Sequence, residues 1–67
     1  MTILLNNVPT KLPQNNMTLS DLVATKNIPV QGTAIAVNDH LVKQSQWPVT
    51  ILNELDSVTV ISAAYGG

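Results

Sequence analysis

Cysteine, arginine and phenylalanine are absent from this 67-residue chain, and only 10% of its residues are charged. Without cysteine no disulfide can brace the fold, and with His40 as the single histidine no Cys/His metal cluster can form. Charged residues usually make up about 25% of a globular protein. The cations here, Lys11, Lys26 and Lys43, are scattered. A nucleic-acid binder needs a clustered basic stripe to neutralise phosphates, so no nucleic-acid partner is expected. The glycines are Gly32, Gly66 and Gly67, which spell neither G-x-x-x-x-G-K-S/T nor G-x-G-x-x-G. No apolar run approaches the roughly 20 residues of a membrane span. The start, "MTILLNN", has neither the basic end nor the long apolar stretch of a secretory signal. A cytoplasmic protein with no membrane partner is the expectation.

What is present is a dense apolar content, 45% of residues, on a net charge of -1. A domain of about this size buries only roughly 60% of the surface that its unfolded chain exposes. Stability must therefore come from one small, well-filled core over residues 1–67. The rest of the surface is polar-neutral and partly apolar, which suits a protein that docks on another protein.

The pattern along the chain alternates between two periods. "TILLNNVPTKLP" holds two extended stretches with Asn6-Asn7 between them, and asparagine tolerates the positive φ of a tight hairpin turn. Pro9 and Pro13 lack a donor N–H, which places the second stretch near a sheet edge or leaving the sheet. In "NNMTLSDLVATK", Thr18 and Asp21 have capping-box spacing, with Met17 and Leu22 as a hydrophobic staple. Leu19, Leu22 and Val23 then recur at helical spacing, predicting one helix over roughly Leu19 to Lys26, with Lys26 in its last turn and Pro29 barring continuation. "TAIAVNDHLV" returns to period two around an Asn38-Asp39 turn. Ala34 and Ala36 would let a helix lie close to the sheet, although the faces stay unassigned. "SQWPVTIL" is irregular, with one short turn opened by Ser45, and "SVTVISAA" is a β-branched strand. The expected class is α+β: a mixed sheet of four to five strands with one main helix, the first and last strands parallel at its centre. That arrangement is a β-grasp, or ubiquitin-like, fold.

The side chains offer little catalysis. Ser20, Asp21 and His40 lack the spacing of a triad, and His40 reads as an exposed turn residue. Trp47 reads as the largest piece of a small core. Attention falls instead on the end, "AYGG". From about residue 64 it reads as a flexible tail, in which Gly66 and Gly67 lack the side chains that would block a narrow channel. Ala64 and Tyr65 are placed to meet a partner. An α-carboxylate at Gly67 is ionised at neutral pH and a poor electrophile, so reaction at its carbonyl requires activation such as adenylation. The chain has no nucleotide loop, so ATP must be brought by a partner.

The stretches "ILLNN", "TLSDLVATKNI", "AIAVNDHLVKQSQW" and "SVTVISAAYGG" together resemble the ThiS family, the sulfur carriers of thiamine biosynthesis. The third is the most specific: an A-x-A-x-N strand, a turn, an apolar pair, a basic residue and then Trp. The resemblance implies a carrier that is not itself an enzyme and holds no cofactor. A ThiF-type adenylating enzyme would activate Gly67 with ATP and Mg. A sulfur-relay donor such as a cysteine desulfurase would then convert it to a thiocarboxylate. Thiazole synthase would accept the sulfur. Two departures stand out: "ELD" at Glu54–Asp56 where the family often has an acidic-Gly-acidic turn, and Tyr65 before the glycines where it often has a small or aliphatic residue. The small subunit of molybdopterin synthase, a ubiquitin-like protein modifier and a non-covalent β-grasp interaction module remain as alternatives.

Overall fold

The computed structural model of the protein describes residues 1–62. Strand β1 (Thr2–Leu5) turns back into β2 (Val8–Lys11), and helix α1 (Leu19–Thr25) follows. Strands β3 (Thr33–Val37) and β4 (His40–Val42) form a second hairpin, a 3-10 segment spans Gln44–Val49, and β5 (Ser57–Ser62) is the last described strand. The sheet has five strands in the order β2-β1-β5-β3-β4. β5 runs parallel to β1 and antiparallel to β3. The first and last strands thus meet at the centre, and this is the β-grasp architecture that the strand pattern predicts.

The local signals in the sequence account for most of these elements. Asn6 and Asn7 adopt φ 50 and 68, and Asn38 and Asp39 adopt φ 50 and 69, the left-handed pairs that a two-residue hairpin turn needs. At the start of α1 the Thr18 side chain accepts from the Asp21 backbone N–H at 3.1 Å, while an Asp21 carboxylate oxygen accepts from the Thr18 N–H at 3.0 Å. The capping box is complete, and it gives Asp21 a structural role at the start of the helix. The far end of α1 differs from expectation. Lys26 is the C-cap and lies just outside the last turn. Asn27, at φ 54, ends the helix, with Ile28 N–H donating to the Val23 carbonyl at 3.0 Å. This is a Schellman ending, and it stops the helix before Pro29 is reached. The 3-10 segment likewise opens at Lys43, with Ser45 inside it.

One face of the sheet carries the core. Ile3, Ile35, Val58 and Val60 point to the side where Leu19, Leu22 and Val23 of α1 and Trp47 of the 3-10 segment pack, all of them buried in one cluster. Met17 and Leu22, the predicted staple, are both part of it. Trp47 is 3% exposed, and its indole N–H donates to the Val42 carbonyl at 3.0 Å, tying the 3-10 segment to the outer strand β4. The alanines of β3 do not face the helix. Ile35 takes that side, and Ala34 and Ala36 lie on the opposite face, paired with Ile61 and Thr59. The close approach that small residues permit is unnecessary, because α1 seats its own leucines in the core. β2 is an edge strand, as Pro9 requires.

The "ELD" turn keeps its shape without glycine, at a cost. Leu55 sits at φ 65 and is 62% exposed, so it strains its backbone and buries little in return. The turn is held because Leu55 N–H donates to the Thr2 carbonyl at 2.7 Å and Asn53 N–H to an Asp56 carboxylate oxygen at 2.8 Å. Replacing Leu55 by glycine removes the steric penalty of the left-handed region and restores part of it as chain entropy. The L55G variant is expected to be more stable than the parent by about 0.5–1 kcal/mol, read as a raised urea midpoint at unchanged slope.

Candidate functional site

Ala64, Tyr65, Gly66 and Gly67, the residues to which the sequence assigns chemistry and partner contact, lie outside the described residues. What the structure describes is how the chain is delivered to them. β5 starts opposite Leu4 of β1 and runs on past Leu5, where β1 ends. On its other side it pairs with β3 from Val37↔Val58 to Thr33↔Ser62. The strand that leads into the last residues is therefore the central strand of the sheet.

Both neighbours of β5 stop short, and at each stopping point a turn asparagine completes the ladder. On the β1 side, Asn6 N–H donates to the Val58 carbonyl at 2.9 Å. In a continuing parallel ladder the Asn6 backbone carbonyl would then accept from Val60 N–H. The left-handed turn removes that carbonyl, and the Asn6 side-chain oxygen Oδ1 accepts from Val60 N–H instead, at 2.8 Å. On the β3 side, Asn38 N–H donates to the Ser57 carbonyl at 2.7 Å, and Asn38 Oδ1 accepts from Ser57 N–H at 2.9 Å. The displaced Asn38 carbonyl lies 3.0 Å from His40 Nδ1, and Asn38 Nδ2 donates to Asp56 Oδ1 at 3.0 Å. The two turns use one device: a side-chain amide oxygen standing in for its own backbone carbonyl. Their positions in the sequence mark these residues only as turn formers. A usable signal was there, because glycine alone would satisfy the first turn position and asparagine adds an acceptor.

The outer face of the sheet is open. Thr2, Leu4, Pro9, Lys11, Ala34, Ala36, Leu41, Ser57, Thr59 and Ile61 point outward by register, and none of them is buried. Lys11, on edge strand β2, is the only charged residue among these positions. Leu41 is 74% and Ile61 59% exposed, and Ala34 and Ala36 lie between their strands' outer positions as a flat floor. Ile61 belongs to β5 itself, so the apolar face is continuous with the strand that leads to the last residues.

Nothing else among the described residues gathers reactive groups. Ser20 and Asp21 are on α1, whereas His40 starts β4 and is exposed. No group of three His, Cys, Asp or Glu residues capable of holding a metal occurs among the described residues, and no described helix is long and apolar enough to cross a membrane.

The Asn38 contacts carry a measurable weight. N38G keeps the turn, since glycine adopts φ 50 freely, but removes the acceptor for Ser57 and the donor to Asp56. It is expected to lower unfolding stability by about 1 kcal/mol and to speed amide exchange at Ser57, as measured by urea titration and hydrogen exchange.

Among known proteins, the model of the ThiS family matches residues 3–67 of this chain. A solved structure, the thiamine biosynthesis protein (ThiS) of Geobacter metallireducens, is similar at a TM-score of 0.87, with 14% sequence identity and 100% of each chain covered. No curated protein matches the sequence.

Proposed function

The chain belongs to the ThiS family, and from that premise we propose that it is a sulfur carrier of thiamine biosynthesis, whose reactive atom is the carboxylate carbon of Gly67. The observation that supports this reading most is the family match over residues 3–67, joined to a sheet whose central strand leads into "AAYGG". Among the described residues the side chains bring together no acid, base or nucleophile, and this reading gives the chemistry to the main-chain carboxylate.

The reaction follows from what a carboxylate can and cannot do. As an anion it resists attack by a nucleophile, but it can itself attack the α-phosphate of ATP. Pyrophosphate leaves, and an acyl-adenylate forms whose AMP is a good leaving group. The terminal sulfur of a relay persulfide then attacks the carbonyl carbon and displaces AMP, giving an acyl disulfide. A second thiol attacks the relay sulfur of that S–S bond, is oxidised to a disulfide with it, and releases Gly67 as the thiocarboxylate. A ThiF-type adenylating enzyme supplies the ATP and Mg site. A relay fed by a cysteine desulfurase supplies the sulfur, and thiazole synthase accepts it. Gly66 and Gly67 have no Cβ to obstruct entry into the partner's narrow site, and Ala64 and Tyr65 contact its mouth. The carrier acts as co-substrate of these enzymes, in the cytoplasm.

The adenylating enzyme docks on the open sheet face. That face carries an apolar patch of Ala34, Ala36, Leu41 and Ile61 among neutral polar residues, is almost uncharged, and is continuous through Ile61 with the strand that feeds the active residue. An apolar, charge-poor patch matches an interface core, where charged residues are depleted.

Two experiments test this. Incubation with the adenylating partner, MgATP and a sulfur donor is expected to shift the intact mass by the replacement of one oxygen with sulfur, localised to Gly67. If the partner thiolates a control carrier while this mass stays unchanged, the reading fails. Adducts on lysines of other proteins would favour a protein modifier instead. For the docking face, I61D and L41D are each expected to raise KM for the carrier about tenfold or more in the adenylation assay, with little change in unfolding midpoint, because both side chains are already solvated.

A further inference from the structure

We propose that Asn6 is a positioning residue for activation of the carrier: through its side-chain oxygen it fixes the direction in which β5 hands the chain to Gly67. The inference rests on the carrier reading above and adds to it a residue far from the reacting atom. Past Leu5, β5 has β3 on one side only. The Asn6 Oδ1 to Val60 N–H bond of 2.8 Å is the last described contact that holds β5 on its β1 side. Asn6 is itself exposed and contributes nothing to the buried cluster. Its second bond, from its own N–H to the Val58 carbonyl, comes from the backbone and survives any substitution that keeps the turn.

A strand held on both edges has one direction, whereas a strand held on one edge can twist or splay about its remaining ladder. An adenylation site needs the carboxylate in line with the α-phosphate, and small misplacements at a distance lower the rate of such a step. Docking depends on the outer face, whereas the Asn6 bonds go to the backbone of Val58 and Val60, whose side chains point into the core. Loss of the Asn6 oxygen is therefore felt in the chemical step and not in binding.

The test uses two variants of the full chain. N6G retains the left-handed turn and removes the acceptor. N6D retains both, since aspartate tolerates φ 50 and its carboxylate oxygen can accept from Val60 N–H. Amide exchange at Val60, measured without any partner, is expected to speed up about tenfold or more in N6G relative to Val58, and to recover in N6D. In the adenylation assay, N6G is expected to lower kcat about tenfold at nearly unchanged KM, with N6D restoring it. Unchanged Val60 exchange in N6G overturns the proposal, as does unchanged kcat, or a kcat that N6D fails to rescue. Those failures leave the carrier reading intact. A wild-type chain that is never adenylated by a partner active on a control carrier overturns the carrier reading, and this proposal with it.

Discussion

The structure depends on a central strand that each neighbour leaves incomplete at one end: β1 stops opposite Val58, and β3 stops one residue short of Ser57. β5 is the strand through which the hairpins β1-β2 and β3-β4 are joined, because no pairing links β1 directly to β3. Its N–H groups at Ser57 and Val60 sit where each hairpin has already turned away. A backbone donor left unpaired at such a position would cost free energy comparable to a lost hydrogen bond. The turn asparagines remove that cost, and in doing so they bind the end of each hairpin to the strand that unites them.

This arrangement separates stability from function in space. The core lies on one face, where α1 and the 3-10 segment cover Ile3, Ile35, Val58 and Val60. The other face carries Leu41, Ile61 and Ala34, all exposed, and the half-buried Ala36, and no described element packs over it. A charge-poor composition is then a consequence of a two-sided sheet: one side is filled by the protein itself and the other is kept apolar for a partner in the proposed carrier role. The absence of cysteine is compatible with a carrier whose sulfur resides on the main chain, where a side-chain thiol would offer a competing site.

Much of the fold was legible because its signals are local. Thr18 and Asp21, three residues apart, announce the start of α1, and the structure shows both capping bonds. Asn6-Asn7 and Asn38-Asp39 announce the hairpins, and Pro9 announces an edge. Trp47 was placed correctly in the core because a chain with so few aromatics has little else of that volume. The misplacements are those where a second signal, less familiar in form, acted first. Asn27 ended the helix ahead of Pro29, and Lys43 opened the 3-10 segment ahead of Ser45. For the candidate site, Ala64 to Gly67 rest on sequence and family, since they lie outside the described residues; the strand that feeds them and the face beside it come from the structure.

The sequence by itself determined the turns, the cap and the period of each element, because each of these depends on residues within a few positions; the apolar content of the first and last strands pointed to their central pairing, which the structure shows. The sequence also contains neither glycine-rich phosphate loop pattern, and too few Cys and His residues for a Cys/His cluster. Only the tertiary structure decided which face of β3 meets the helix, since Ile35 and the alanines alternate and either side could have been buried. It alone showed that Asn6 and Asn38 reach β5, because those bonds join residues 54 and 19 positions apart. Period and propensity describe how a segment folds; which distant donor needs an acceptor is settled only when the strands have been laid side by side.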